Sequence, residues 1–163
     1  MPAKPLNAIL FQLGWFCCVL GGNWLALLAL LLMLLIHFFY VMTDQREWLL
    51  IIAVTVIGVI IDSILTFFTV LQFEERTLAY IPFWLMFLWC FFATSLRHSL
   101  SWLRGRLLLA SIVGAAAGAS SYYAGSRLGS VSFGQPLSLS LIYIGICWAI
   151  LLPLLIKFTY WLD

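Results

Sequence analysis

From residue 6 to residue 42 the chain carries no formal charge. As one helix this block would measure roughly 55 Å at ~1.5 Å per residue, nearly twice the ~30 Å hydrocarbon core of a bilayer. It has to turn within itself. Gly21-Gly22-Asn23 is the place where the backbone tolerates that, because glycine and asparagine accept tight geometry. A first span over residues 5–20 and a second over 24–42 are therefore expected, the first of them short.

Four further apolar stretches follow, at residues 48–71, 79–95, 107–124 and 137–158. They are separated by the charged segment 43–47, the polar segment 72–78, the basic segment 97–106 and the Gly/Ser-rich segment 126–136. Pro82 falls in a first helical turn, where proline is tolerated, and a kink is expected at Pro153. Hydrophobic residues make up 65% of the 163 residues and charged ones 9%, against about 45–50% and ~25% in soluble domains. A soluble domain and a disordered chain are both excluded by that balance. The expected fold class is all-α, a polytopic transmembrane helix bundle of about six spans, with residues 1–163 as one domain. The lysine and apolar run at the N-terminus resemble a signal peptide, but no small-residue cleavage motif closes the run, so a retained helix is expected. A net charge of +2 gives no basis for nucleic-acid binding.

With six spans, Lys4, Arg46, Arg97, Arg104, Arg106 and Lys157 share one side, and Arg76 and Arg127 lie on the other. The positive-inside rule then makes both termini cytoplasmic. Trp24, Trp48, Tyr80, Trp102 and Trp161 lie near expected span ends, as interfacial aromatics do.

Asp62 lies near the middle of the third span. An isolated carboxylate at that depth costs on the order of 3 kcal/mol on insertion scales, and its one-carbon stem cannot reach the interface. It is expected to face the bundle interior. Thr55, Gly58, Thr66 and Thr69 lie on the same helical face, within about 40° of it at 100° per residue. Two readings stand side by side: a proton, cation or head-group site, and a neutral structural acid that joins helices. Gln12 in the first span is the candidate neighbour by depth. Trp89 and Trp148, also near mid-depth, complete a candidate central polar site of Asp62, Gln12, Thr55, Thr66, Trp89 and Trp148.

His37 and His98 fall at the same end of the bundle. Without an H-x-x-x-H pair or a histidine box, interfacial histidines are expected in preference to a metal or haem site. The four cysteines all lie in spans and read as small apolar fillers. No metal and no cofactor are expected. Residues 111–121 are rich in small side chains, and Gly114 and Gly118 form a small-xxx-small step for close helix packing, with a homodimer contact through that face as the alternative. Gly125 to Gly129 lacks the spacing and lysine of a phosphate loop.

Several motifs converge on one resemblance. They are Gly58-x-x-x-Asp62-Ser63, then Pro82-x-Trp84 with Leu88-Trp89, then Ser99-Leu100-Ser101-Trp102-Leu103, and finally Tyr123-Ala124-Gly125-x-x-Leu128-Gly129. Together they resemble an uncharacterised family of small bacterial inner-membrane proteins, catalogued as domain of unknown function number 2878. The resemblance implies a bacterial inner-membrane placement and, through an association of the family with genes of fatty-acid modification, lipid-related work. The expected function is a small carrier or lipid-handling protein in the bilayer, with a lipid or small-molecule ligand at the Asp62 site. The alternative is a non-catalytic accessory protein that packs with a membrane partner or a second copy. A weaker alternative is an intramembrane enzyme acting on a lipid, which would want more than one embedded acid. Inverted repeats, the mark of many transporters, are not evident between the two halves.

Overall fold

The computed structural model describes residues 3–75 and 81–161. Arg76, Tyr80 and the expected start of the fourth span at Ala79 lie outside the described residues. The described chain is helical apart from its loops and one two-residue strand pair. The helices are α1 (Ala3–Ile36), α2 (Glu47–Phe67), α3 (Phe83–Ser95), α4 (Leu107–Arg127) and α5 (Leu137–Trp161). α1 continues into a π-helical turn at His37–Val41, and a 3-10 turn at Ser101–Leu103 precedes α4. Four of the helices are long and apolar enough to cross a membrane, and α3 is a shorter apolar helix.

α1 is two helices joined at Gly22, whose φ of 63° and ψ of −165° are not helical. That backbone region is essentially reserved for glycine. The break thus falls inside the expected Gly21-Gly22-Asn23 turn. Asn23 then uses both ends of its amide. Its Oδ1 accepts from the Trp84 backbone N at 2.9 Å, and its Nδ2 donates to Glu75 at 2.8 Å. The first of these bonds satisfies an orphan N–H in the first turn of α3, just after Pro82. Gly22→Ala is expected to destabilise the bundle by about 1–3 kcal/mol through φ/ψ strain alone. No atom lies within 4 Å of a Cβ built there, so thermal unfolding in detergent isolates the backbone term. A Gly22→Ala protein as stable as wild type would refute a strained turn.

α3 is the interior helix. It packs against α1 and α2, and buries Trp84, Leu85, Trp89, Phe91 and Phe92. Two glycines make room for its large rings: Gly14 of α1 lies against Phe91, and Gly58 of α2 lies against Trp89. Asn7 of α1 closes the far end. It donates to the Thr94 backbone O at 3.2 Å and accepts from Ser99 Oγ at 2.8 Å. The 13-residue helix is therefore held between Asn23 and Asn7.

α4 and α5 form a hairpin of their own. Gly114 and Gly118 face Trp148 and Leu152 of α5 so closely that a Cβ on either would meet them. Close approach of backbones is the usual gain from such glycines within a membrane. α5 continues through Pro153 as one helix. The hairpin joins the rest through the Trp89–Trp148 stack (5.2 Å between centroids, 5° between planes), the Trp15 Nε1 to Ser121 Oγ hydrogen bond at 2.9 Å, and Arg104 over the Tyr160 ring at 5.2 Å. It also joins through strands β1 (Leu71–Gln72) and β2 (Ser132–Phe133), antiparallel with Leu71 opposite Phe133.

The third span ends earlier than expected. α2 stops at Phe67, and Thr69 has a φ of 57°. Thr69 therefore leaves the polar helical face on which the sequence placed it. Its Oγ1 instead accepts from Gln135 at 3.2 Å, next to the strand pair. Conversely, α4 runs past the expected end at residue 124 to Arg127.

Candidate functional site

Asp62 is fully buried on the face of α2 that meets α3. Its Oδ1 accepts from the Tyr122 hydroxyl at 2.6 Å, and its Oδ2 accepts from Trp89 Nε1 at 2.7 Å. One carboxylate thereby joins α2, α3 and α4. Low dielectric strengthens such bonds and makes an unmet partner costly. Trp89 carries Trp148 on its face, and Phe92 meets both rings edge-on. Edge-to-face and offset arrangements add to packing beyond the area they bury.

The other residues of the expected site are placed as follows. Thr66 donates to the Asp62 backbone O at 2.7 Å, and so is near Asp62 only through the main chain. Thr55 donates to Cys90 Sγ at 3.3 Å, one helical turn beyond Gly58. Gln12 is not a partner of Asp62. It is exposed on α1 and faces a cavity. Tyr122, the second partner of Asp62, was not among the expected site residues. A phenol 60 residues along the chain from Asp62 gives no sequence signal for that contact, since it depends on how α4 sits beside α2.

The cavity measures about 720 Å³ and lies between α1 and α3 on one side and α4 and α5 on the other. That is within the usual range for small-molecule sites. Along α4 its lining runs from Val113 to Arg127, roughly 21 Å at ~1.5 Å per residue. Trp15, Trp84, Trp89, Trp148 and Tyr122 supply aromatic wall, and Ser99 and Arg127 mark its two ends. Asp62 is not in the lining. It stands behind Trp89 and Tyr122 and fixes two of the wall's rings.

A second polar cluster forms at the end of the bundle that holds Asn7, Ser99 and Arg104. His37, Glu47 and His98 are buried together there. Nε2 of His37 lies 3.1 Å and Nε2 of His98 lies 2.8 Å from Oε2 of Glu47. The two imidazole rings meet edge-to-face at 5.4 Å. The other carboxylate oxygen accepts from the backbone N and the hydroxyl of Thr43, both at 3.1 Å. The expectation of separate interfacial histidines is corrected here: both rings are inside the protein and share one carboxylate. Glu47 escaped notice because it stands beside Asp44 and Arg46, where it reads as an ordinary loop charge. The available signal was the placement of both histidines and this acid at one end of the spans.

No curated protein and no solved structure matches the chain. Over residues 4–154 it matches the family model described as Protein of unknown function (DUF2878), and with its series of long apolar helices the chain belongs to that family as a multi-pass protein of the bacterial inner membrane.

Proposed function

We propose that the protein is a small lipid-handling carrier that holds one membrane lipid, acyl chain first, in the cavity between α1–α3 and the α4–α5 hairpin. The cavity carries this reading. It is tall, aromatic and apolar, and it runs along helices apolar enough to cross a bilayer. The solvent at that depth is itself lipid, so an acyl chain is the occupant most available to it. Arg127 at one end suits an anionic head group, as charge-assisted bonds from arginine to phosphate do. Asp62 acts as a positioning residue in this reading, because its carboxylate reaches Trp89 and Tyr122 and leaves the cavity wall to them.

The accompanying topology is six crossings, with α1 counted as two and α3 as one, and both termini cytoplasmic. Three contacts support the shared side. Asn7 meets Ser99, His98 meets Glu47, and Arg104 meets Tyr160. The basic residues Lys4, Arg46, Arg97, Arg104, Arg106 and Lys157 then face the cytoplasm.

Lipid retention tests the function. Ala117 is exposed on α4 and lines the cavity, so Ala117→Trp fills the space from a position with room. Wild-type protein purified in mild detergent is expected to keep about one lipid per chain by native mass spectrometry, and Ala117→Trp to lose it at least tenfold. Leu108→Ala, on the outer surface of α4 with 78% of its area exposed, is expected to leave retention unchanged. Equal lipid content in wild type and Ala117→Trp would sink the carrier reading. A stoichiometric membrane protein recovered in place of lipid would favour the accessory reading.

A further inference from the structure

The cluster at the Ser99 end of the bundle has the composition of a metal site. We propose that His37, Glu47 and His98 bind one divalent transition-metal ion of the zinc type, with the fourth coordination position left to a ligand from outside the chain. Two imidazoles and one carboxylate are a donor set that zinc takes when one position stays open. The three donors come from three separate segments: the π-helical turn after α1, the first residue of α2, and the turn after α3. They are 0%, 2% and 5% exposed, so bulk water does not compete for them.

The distances suit an ion. One donor atom from each residue lies within 4.8 Å of the others, and the two His–Glu separations are 3.1 and 2.8 Å. A tetrahedral ion bound at 2.0–2.2 Å sets its donors about 3.4 Å apart. The two His–Glu pairs need to open by only a few tenths of an ångström. The carboxylate is already oriented for this. Thr43 holds its Oε1 from two donors, which turns Oε2 toward the histidines, and such outer contacts are the usual means of aiming a metal ligand.

Two further features set the cluster apart from ordinary packing. His37 opens a π-helical turn closed by the Met42 N–H on the His37 carbonyl at 2.7 Å. Turns of this kind are rare, and frequently occur at functional sites. In addition, Nδ1 of His37 is buried without a hydrogen-bond partner among the described residues. The contact of Nε2 with the Glu47 carboxylate places the ring proton on Nε2, so a cation bound there takes that proton's place and leaves the ring's N–H at Nδ1. Electrostatics point the same way. With both rings neutral, the three residues together carry one buried negative charge, held by hydrogen bonds from His37, His98 and Thr43. A proton on one ring neutralises it; a dication turns it to a single positive charge, which an anionic ligand such as hydroxide in the open position balances, and the two alternatives separate by experiment.

Metal-free wild-type protein in detergent is titrated with Zn²⁺ alone, with metal content and thermal unfolding as the readings. One ion per chain and a rise of several degrees in the unfolding temperature are expected. Co²⁺ in its place should give the visible bands of a tetrahedral ion without a sulfur charge-transfer band. Glu47→Gln and His98→Ala are expected to weaken Zn²⁺ binding at least a hundredfold. No uptake by wild type at tenfold excess metal would overturn the site and assign the cluster to a shared proton. Sulfur ligation would overturn it too, since Cys17, Cys18, Cys90 and Cys147 are free thiols. If the variants fold poorly, the wild-type stoichiometry and the cobalt spectrum decide alone. None of these readings depends on lipid retention, so the carrier function and the metal site stand or fall separately.

Discussion

Asp62→Leu is expected to lower the stability of the assembled bundle by roughly 2–6 kcal/mol, because it strands two buried donors at about 1–3 kcal/mol each. The Tyr122 hydroxyl and the Trp89 indole N–H both donate to this carboxylate, and leucine accepts from neither. Membrane insertion of α2 runs the other way. An apolar side chain enters the bilayer more favourably than aspartate by about 3 kcal/mol, so the amount of inserted protein should not fall. The loss belongs to helix association. Asp62→Asn separates shape from charge. Its Oδ1 accepts from one of the two donors, while its Nδ2 is a donor where the other needs an acceptor, so one buried donor is left unmet. Thermal unfolding in detergent, followed by tryptophan fluorescence, should place Asn about 1–3 kcal/mol below wild type and Leu below Asn. A Leu variant as stable as wild type would mean that the triad is not what joins α2, α3 and α4. Cellular complementation by the Asn variant tests the remaining question. A folded but inactive Asn protein would require a titrating carboxylate, whereas full activity fits a positioning residue.

Gly118→Leu is expected to cost about 3 kcal/mol or more, at the top of the range for overpacking. A Cβ alone at this position already meets the Trp148 ring, and leucine adds three more carbons. Trp148 has little freedom to retreat, since it stacks on Trp89 and meets Phe92 edge-on. The side chain would have to separate α4 from α5 or push Trp148 out of the aromatic stack. Detergent-extracted yield and aggregation temperature are the measurements, with Leu108→Ala as the surface comparison. Equal behaviour of the two variants would mean that the α4–α5 contact is loose. A variant that folds well but loses its lipid would place the damage in the cavity wall.

The long-range architecture of the chain was legible wherever a length or a charge left no alternative. An uncharged block nearly two bilayers long had to turn, and the turn falls on a glycine in a conformation other residues avoid. A one-carbon acid in mid-span had to be inside. What escaped the sequence depended on which helices become neighbours. Tyr122 and Asp62 are 60 residues apart, and no periodicity links them. The pairing of Leu71 with Phe133 involves two residues on each side, too few for an alternating pattern. The expected run of polar residues along α2 stopped short at Thr69, because the helix ended there in favour of that pairing. The His37–Glu47–His98 cluster was obscured by a different effect. Its acid sits among loop charges, ten residues past the first histidine and beyond a π-helical turn that no periodicity announces.

The short interior helix has a consequence for how the protein is made. At 13 residues, α3 measures roughly 20 Å, well under the ~30 Å that a freestanding span requires. A translocation channel that sorts segments by apolar length would release it slowly, or not at all, into pure lipid. The partners that complete it precede it in the chain. Asn7, Gly14 and Asn23 belong to α1, and Gly58 belongs to α2. Both helices are already synthesised when Phe83 leaves the ribosome. Integration of the third helix thus becomes a docking event onto a preassembled receptor, and the direction of synthesis supplies the order that its own length cannot.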